Sequence, residues 1–456
     1  MMPTSEPSAD PVSSSPSPAP ADSAADPRAG RAHRAPAMAF ILLTVLIDMM
    51  AIGIIVPVLP VLVGTFTTSP TEQTFWYGAV ALSFGLANFL ASPVLGALSD
   101  QYGRRPVLLL GFSGLALSFI VTGLATALWM LIAVRLFSGA MQANAAIANA
   151  YVADITEPQD RARRFGLVGA MFGMGFMFGP ALGGYLGSID LHLPFFVAGG
   201  MAVLNWIYGF FVLPESLPAH RRKPFQWRRA HPLSALAGLS RLQGVGPLIV
   251  VIALASLAQF TLHNSFVLYT TFKFGWGPKD NGLALFTVGL MSVLVQGFLL
   301  KHLLRRFSVR QLAVGGLLAS SSTYFAFGAI TQGWMMFVVI IVGTLLGGGA
   351  SAVIQSQVSN SADARSQGQT MGAVAALNSL MAVMAPVVSA SLLGVVSHLP
   401  RGDWRMGLPF YFCAALQLTG TVFAARHFAR ITRTAAAAMA PVAPVMVAPA
   451  AQSDNA

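Results

Sequence analysis

Two ionisable side chains lie inside long apolar stretches of this sequence, and their chemistry is that of proton exchange. Asp48 lies in L-I-D-M-M-A-I-G-I-I-V-P-V-L-P, about ten residues, or about 15 Å at helical rise, from the basic end of its stretch. Arg135 lies in L-I-A-V-R-L-F-S-G-A. A guanidinium favours loss of a proton from an acid once the two groups are brought together. The two residues are therefore a candidate proton-coupling site.

Asp48 is the only Asp or Glu deep inside an apolar stretch, since the other acids fall at stretch ends or in the tails. A carboxylate at the bilayer centre costs about 2.5–3.5 kcal/mol on insertion scales, so we expect Asp48 to face the protein interior. The alternative is a neutral aspartic acid bonded to a helix backbone for structure alone. For Arg135, the alternative is a side chain that extends to the nearer membrane surface.

Uncharged polar residues in the apolar stretches are candidates for lining a substrate cavity. An isolated amide in a membrane span more often bonds a neighbouring helix than a ligand, so each of them also has a packing interpretation. His263 could also titrate. The candidates are Gln142, Asn144, Gln259, His263, Asn264, Gln355 and Asn378.

The composition places these residues in a membrane. The chain has 456 residues, of which 55% are hydrophobic and only 9% charged, too few charges to cover a soluble surface of this size. The net charge of +11 does not indicate nucleic-acid binding, because the basic residues sort by loop. On the topology below, all Lys and Arg fall on the cytoplasmic side except Arg135, Lys273, Lys279, Arg401 and Arg405.

Twelve apolar stretches are long enough to cross a bilayer, which predicts an all-α integral membrane protein with twelve transmembrane helices in two six-helix pseudo-repeats. A gap rich in arginine separates the two sixes, so we expect the gap and both termini to be cytoplasmic. The stretches are about 38–64, 75–98, 106–127, 128–152, 165–187, 194–214, 247–272, 281–303, 309–330, 334–358, 368–397 and 407–427.

The expected domains follow from these stretches. A disordered cytoplasmic tail at 1–36 precedes a first six-helix half at 37–214, because its Ala, Pro, Ser and Asp cannot bury enough apolar surface to fold. A cytoplasmic loop at 215–246 leads to a second half at 247–427. A second disordered tail follows at 428–456.

The two halves look like degenerate copies of each other. Gly297, Arg305 and Arg306 repeat the spacing of Gly96, Arg104 and Arg105, with Lys301 in the place of Asp100. Ala385-Pro386 stands to Gly372 as Gly179-Pro180 stands to Gly166. Parallel six-helix repeats place a substrate site between the halves near the middle of the membrane, and rocking of the halves alternates its access.

A loop motif and a helix motif carry a resemblance to a known family. The loop reads G-A-L-S-D-Q-Y-G-R-R-P and contains Gly96, Asp100, Gly103, Arg104 and Arg105. It resembles the loop between helices two and three of the major facilitator superfamily, where it braces one half against the other. That resemblance implies that Asp100 faces the N-terminus of helix eleven.

Helix five reads G-M-G-F-M-F-G-P-A-L-G-G, with a bare face formed by Gly175, Gly179 and Gly183 and a bend at Pro180. With Gly184, it resembles the motif of the drug/proton antiporters of this superfamily, which implies export. A glycine-rich packing face without directional meaning is the alternative.

The resemblance is closest to the tetracycline-resistance efflux branch, through L-I-D-M-M-A-I-G-I-I-V-P-V-L-P, V-A-D-I-T and F-G-W. Where that branch carries two acids and a histidine, this sequence has Ser118, Ser320 and Ser292, which puts tetracycline itself in doubt. The resemblance implies proton-coupled efflux of a drug-like small molecule, tetracycline-class or multidrug, by a monomer in the bacterial inner membrane. A substrate:proton symporter or uniporter of the same fold is the alternative, and a non-transporting scaffold or sensor is a third reading.

The sequence gives no sign of an enzyme. It has no G-x-x-x-x-G-K-[ST] phosphate loop and no cluster of His, Cys and acids, so we expect no cofactor and no metal, with the proton as coupling ion. Cys413 is the only cysteine, which excludes an internal disulfide.

Overall fold

Helices account for the regular structure of the chain. The computed structural model describes residues 27–157, 159–227, 246–360 and 367–438, and within these ranges there is no strand. Twelve helical segments are long and apolar enough to cross a membrane, as the sequence predicts. Spans 1 to 12 are Met38–Gly64, Pro70–Tyr102, Arg104–Gly123, Leu128–Ile155, Arg163–Ile189, Leu193–Val212, Gly246–Phe274, Pro278–Arg306, Val309–Ala329, Gly333–Val358, Met371–Val396 and Trp404–Arg430.

Four spans are interrupted. Span 1 has a turn between the helices Pro27–Ile55 and Leu59–Gly64, where Pro57 and Pro60 remove backbone donors. Span 4 breaks between Leu128–Met141 and Asn144–Ile155, and span 10 breaks between Gly333–Gly347 and Ala350–Asn360. Span 8 contains a π-helical turn at Val295–Leu299, between Pro278–Leu294 and Leu300–Arg306.

The remaining spans are single helices, and the first and last helices of the chain extend past the limits of the predicted domains. The first helix begins at Pro27, inside the predicted tail, where Ala and Arg favour helix. The last helix ends at Ala438, and residues 1–26, 228–245 and 439–456 of the predicted tails and central loop lie outside the described residues. The single helices are Pro70–Tyr102, Arg104–Gly123, Arg161–Ile189, Leu193–Val212, Gly246–Phe274, Val309–Ala329, Gln367–Val396 and Leu408–Ala438.

Each half of the chain packs around its own apolar cores. In the first half, Phe40 and Tyr151 are fully buried in one cluster and Phe195 in another. In the second half, Tyr269 and Phe410 are buried together with their rings 4.5 Å apart. Each half therefore has buried apolar residues that hold its own helices together.

The bundle has two ends, because consecutive spans run in opposite directions. The end that holds Gly103, Val212 and Arg306 is called the basic end here, and the end that holds Ser69 and Gly277 is called the far end. Lys273 lies at the far end, as the sequence predicts, yet only 4% of it is exposed. Its ammonium group donates to the carbonyl of Gly328 at 2.9 Å, at the C-terminus of span 9, where a cation is favoured.

The halves touch each other at the far end. Span 2 meets span 11 there, with the hydroxyls of Thr71 and Ser397 2.9 Å apart. Span 5 meets span 8, where a Cβ placed on Gly184 would lie 2.8 Å from the Cα of Gly282. Small residues allow this close backbone approach. The far end of the bundle is therefore closed.

The same four spans make no close contact through their glycines at the basic end. A Cβ placed on a glycine of span 2, 5, 8 or 11 there would meet no described atom within 4 Å. These positions are Gly96, Gly166, Gly169, Gly297 and Gly372, and they are called the open glycines here. The bundle is therefore closed at the far end and open at the basic end.

Candidate proton site and substrate cavity

Asp48 lies in the core of the first half, with 4% of its surface exposed. The side-chain amide of Asn144 donates to Asp48 Oδ1 at 3.3 Å. Asn144 is the first residue of the second helix of span 4, so the break in that span directs its side chain towards span 1. Gly111 in span 3 leaves room for it, because a Cβ at this position would collide with Asn144 Oδ1.

The break in span 4 explains two of the predicted cavity residues in another way. Asn88 of span 2 donates to the main-chain carbonyl of Gln142, which the break frees from its helix. Asn144 bonds the acid. Neither Gln142 nor Asn144 lines the cavity described below, and the side chain of Asn144 bonds Asp48 within the first half instead.

Arg135 lies in the first helix of span 4, on the other side of the break from Asn144. Its guanidinium is 5.8 Å from the ring centre of Phe84 in span 2. Its Nε and Nη2 atoms are buried and have no hydrogen-bond partner among the described residues. The expected approach of Arg135 to Asp48 is not present in this conformation, and the phenyl ring, not a carboxylate, faces the cation.

The glycine face of helix five packs against span 1, next to the acid. A Cβ on Gly175 would lie 2.5 Å from the Cβ of Met49, and one on Gly179 would lie 2.8 Å from the Cα of Gly53. A Cβ on Gly183 would collide with the carbonyl oxygen of Ile54. The predicted close-approach surface is confirmed, and Pro180 reaches the same contact, since its Cδ would lie 2.9 Å from a Cβ on Gly53.

The loop motif forms a network around Arg104. Its guanidinium pairs with Asp100 at 2.6 Å and with Asp154 of span 4 at 3.2 Å. Its main-chain N–H donates to Glu215 at 2.8 Å, and that of Arg105 donates to the same carboxylate at 3.2 Å. Glu215 thus accepts from the N-terminus of span 3, where a negative charge is favoured.

Gly103 makes that arrangement possible. Its φ of +106° is one that residues with a Cβ rarely adopt, and a Cβ there would collide with Glu215. Arg105 donates to the carbonyl of Phe210 at 2.6 Å. The carboxylate of Asp100 pairs with Arg104, its main-chain carbonyl accepts from the N–H of Lys223 in the central loop, and its side chain is 45% exposed. The expected contact of Asp100 with helix eleven is therefore absent among the described residues, because the basic end is open.

A cavity of about 430 Å³ lies in the second half, a size typical of small-molecule sites. Gln259, His263, Gln355 and Asn378 line it, as the sequence predicts. Asn264 does not, because its amide donates to the carbonyl of Phe260 and its side chain points to the closed contact with span 11. Sequence reasoning did not identify Tyr324 and Gln417 as lining residues.

The comparisons with known proteins agree with this architecture. The Major Facilitator Superfamily model matches residues 41–386 and, in a second placement, residues 248–443. The tetracycline resistance protein of class C from Escherichia coli is 35% identical over 376 residues, which cover 82% of this chain and 94% of that protein. The chain belongs to the major facilitator superfamily. The class B protein of Escherichia coli is 31% identical, over 83% of this chain and 94% of its own length.

Solved structures of the superfamily share the fold. The nucleoside transporter NupG has a TM-score of 0.69 at 13% identity, with 86% of this chain and 98% of that chain covered. The human organic anion transporter MFSD10 has a TM-score of 0.65 at 22% identity, with 86% and 99% covered. The predicted membrane-transport fold and the resemblance to the tetracycline-resistance efflux branch are thus confirmed, and this member of the superfamily is a multi-pass membrane transporter.

The residues that replace charged groups in the resembled branch fall in two places. Ser292 and Ser320 line the cavity of the second half. Ser118 is buried in span 3 of the first half. This superfamily member therefore presents hydroxyls in its cavity at the positions where the resemblance would place ionisable groups.

Proposed function

We propose that this transporter exports a drug-like small molecule across the bacterial inner membrane in exchange for protons, by alternating access. The observation that carries the proposal is the contrast between the ends of one bundle, closed at the far end and open at the basic end around a cavity. Positive charge favours the cytoplasm, which makes this conformation inward-open. The relatives in the tetracycline-resistance branch favour export of a tetracycline-class molecule or of several drugs.

Asp48 is the proposed proton carrier. A carboxylate at that depth is stabilised by protonation, by a nearby cation or by water in an open cavity. A proton that enters from outside neutralises Asp48 and releases the drug, and loss of that proton to the cytoplasm prepares the next cycle. Because Asp48 is enclosed here, its exposure to either side requires movement of the helices around it. The proton is the coupling ion, no other cofactor is needed, and one chain holds all of these groups.

The test is the Asp48→Asn variant, which resembles the protonated form permanently. In everted vesicles energised with a pH gradient, wild-type protein should accumulate drug and the variant should not, although it inserts and folds. Substrate-induced proton release from purified protein, followed with a pH dye, should disappear as well. Asp403→Asn, which changes an acid at the far end, is the matched control and should retain both activities.

Two outcomes would contradict the proposal. Wild-type proton release by Asp48→Asn would assign the carrier to another group, with His263 next to be tested. Drug accumulation that depends on a gradient of the opposite sense would indicate the symporter. A susceptibility panel that compares cells with and without the protein identifies the exported drugs. Topology is tested by thiol labelling of cysteines placed at Gln226 and Arg401, which should lie on opposite sides of the membrane.

A further inference from the structure

The cavity of about 430 Å³ is lined, among the described residues, by the second half. Every residue that lines it belongs to spans 7 to 12. Among these described lining residues there is no Asp, Glu, Lys or Arg. Asp48 does not line the cavity, and its carboxylate accepts from Asn144 of the first half. A ligand in this cavity would therefore meet neutral polar groups and apolar surface, and no carboxylate.

The first polar group is an oriented histidine. The hydroxyl of Tyr324 donates to Gln259 Oε1 at 2.9 Å, which directs the amide nitrogen of Gln259 towards His263 Nε2 at 3.1 Å. An amide nitrogen only donates, so Nε2 accepts and the ring proton is on Nδ1. No described residue accepts a hydrogen bond from Nδ1. His263 therefore offers a fixed N–H donor in the cavity.

The second polar group is an amide whose oxygen is already occupied. The hydroxyl of Ser256 donates to Asn378 Oδ1 at 2.6 Å. The side-chain nitrogen of Asn378 keeps its two protons, for which the described residues supply no acceptor. Asn378 is therefore a second donor.

The third polar group is a buried acceptor without a donor. Gln417 of span 12 lines the cavity and is only 6% exposed. Its Oε1 atom is buried and no described residue donates to it. An unsatisfied buried oxygen costs about 1–3 kcal/mol, so a donor group on a ligand would relieve that cost. A hydroxyl or an N–H of a ligand can donate to this oxygen.

We infer that the cavity of the second half is a binding site for uncharged, ring-containing molecules that carry both hydroxyl or N–H donors and carbonyl or hydroxyl acceptors. Gln417 accepts from the ligand, and His263 and Asn378 donate to it. The rings of Phe266 and Phe327, 6.5 Å apart, lie among the aromatic surfaces of the site. Its role as the transport site rests on the export function proposed above.

This assignment separates the ligand from the proton. The acid that is proposed to carry the proton lies in the first half and the ligand groups lie in the second, so the two compete through conformation and not for one carboxylate. An organic cation finds no counter-charge among the described lining residues. A direct ligand contact with Asp48 is therefore not required for export.

The test measures binding to the purified full chain by isothermal titration calorimetry. Chloramphenicol, an uncharged aromatic molecule with hydroxyl groups and an amide, is the first probe, and ethidium, an aromatic cation that carries amino groups, is the second. Chloramphenicol should bind and ethidium should not compete with it. Gln417→Leu should weaken chloramphenicol binding about tenfold, the loss expected for about 1.4 kcal/mol.

Thermal unfolding separates this role from a structural one. Removal of an unsatisfied buried oxygen should raise the melting temperature of the ligand-free protein, whereas removal of a structural hydrogen bond would lower it. Thr421→Val is the matched control, because Thr421 is a buried polar residue one turn further along span 12 and does not line the cavity. It should leave the chloramphenicol Kd unchanged.

The inference fails if chloramphenicol does not bind, if ethidium displaces it, or if Gln417→Leu binds as wild type does. The proposed export function is tested by gradient-driven uptake and survives any of these results. Conversely, gradient-independent transport with intact chloramphenicol binding would overturn the export proposal and leave the binding site in place.

Discussion

The ring of Phe176 in span 5 lies 6.3 Å from the imidazole of His263 in span 7. Phe176 belongs to the first half, and the preceding residue, Gly175, packs against Met49, which is the neighbour of Asp48 in the chain. His263 lines the cavity of the second half. A row of neighbouring residues thus joins the buried acid to the cavity across the boundary between the halves.

We expect Phe176→Ala to reduce the coupling between proton and drug without removing the binding site. Chloramphenicol Kd should change less than about twofold. Proton release per drug bound should fall about fivefold, since residues between coupled sites change coupling by about 0.5–2 kcal/mol. The pH-dye assay on purified protein measures this ratio. Phe178→Ala, which removes a ring pair with Phe286 but no contact with His263, is the control. Equal losses in both variants would contradict the role of Phe176.

Glycines of span 5 should divide into two classes. Gly183→Ala places a methyl group against the carbonyl of Ile54, and overpacking costs about 1–3 kcal/mol, so the melting temperature should fall. Gly169→Leu fills empty space at the basic end and should leave the melting temperature unchanged or raise it. Transport by Gly169→Leu should nevertheless stop, because the outward-open state must close the basic end. Wild-type transport by this variant would mean that span 5 does not approach the other half there.

A disulfide at the far end should lock the conformation described here. The hydroxyls of Thr71 and Ser397 are 2.9 Å apart, so the Thr71→Cys/Ser397→Cys protein should form a crosslink on mild oxidation. The oxidised protein should bind ligand and fail to transport, and dithiothreitol should restore transport. Gly96→Cys/Gly372→Cys on the same two spans is the control and should stay reduced, because the basic end is open. Retained transport by the crosslinked protein would contradict alternating access.

Substitution of Glu215 should lower stability, whereas substitution of Asp100 should slow transport. Glu215→Gln weakens the bonds to two N–H groups at the start of span 3 and should lower the free energy of unfolding by about 1 kcal/mol. Asp100→Asn removes one half-exposed ion pair, which is worth little to stability, and should instead slow turnover more than it weakens binding. Thermal unfolding, equilibrium binding and vesicle flux separate the two. A collapse of binding in Asp100→Asn with normal flux per bound molecule would contradict the bracing role.

The sequence predicts those features that depend on one helix at a time. Spanning length and the positions of arginine define the twelve spans, and spacing of four residues defines the glycine face that meets span 1. The depth of Asp48 is likewise a matter of counting along one helix. These predictions succeed because a membrane span must satisfy its own backbone and hide its own charges.

Contacts between segments that are far apart in the sequence cannot be predicted from one helix at a time. Glu215 and Arg104 are 111 residues apart, and nothing local in either segment indicates their bond. The break of span 4 falls at Gln142 and Ala143, and neither residue is the proline or glycine from which a break could be predicted. This break places Asn144 opposite Asp48. Arg135 was expected near the acid, yet the register of span 4 against span 2 places it beside Phe84.

Bulky substitutions at the open glycines should affect cellular abundance and drug resistance differently. A mutational scan that scores cellular abundance reports the conformation that the protein occupies most, and bulky residues at Gly96, Gly169 or Gly372 would pass it because they touch nothing there. A scan that scores drug resistance requires the whole cycle, and the same variants would be lost. Positions where the two scores diverge would therefore outline the surface that closes at the basic end in the outward-open state.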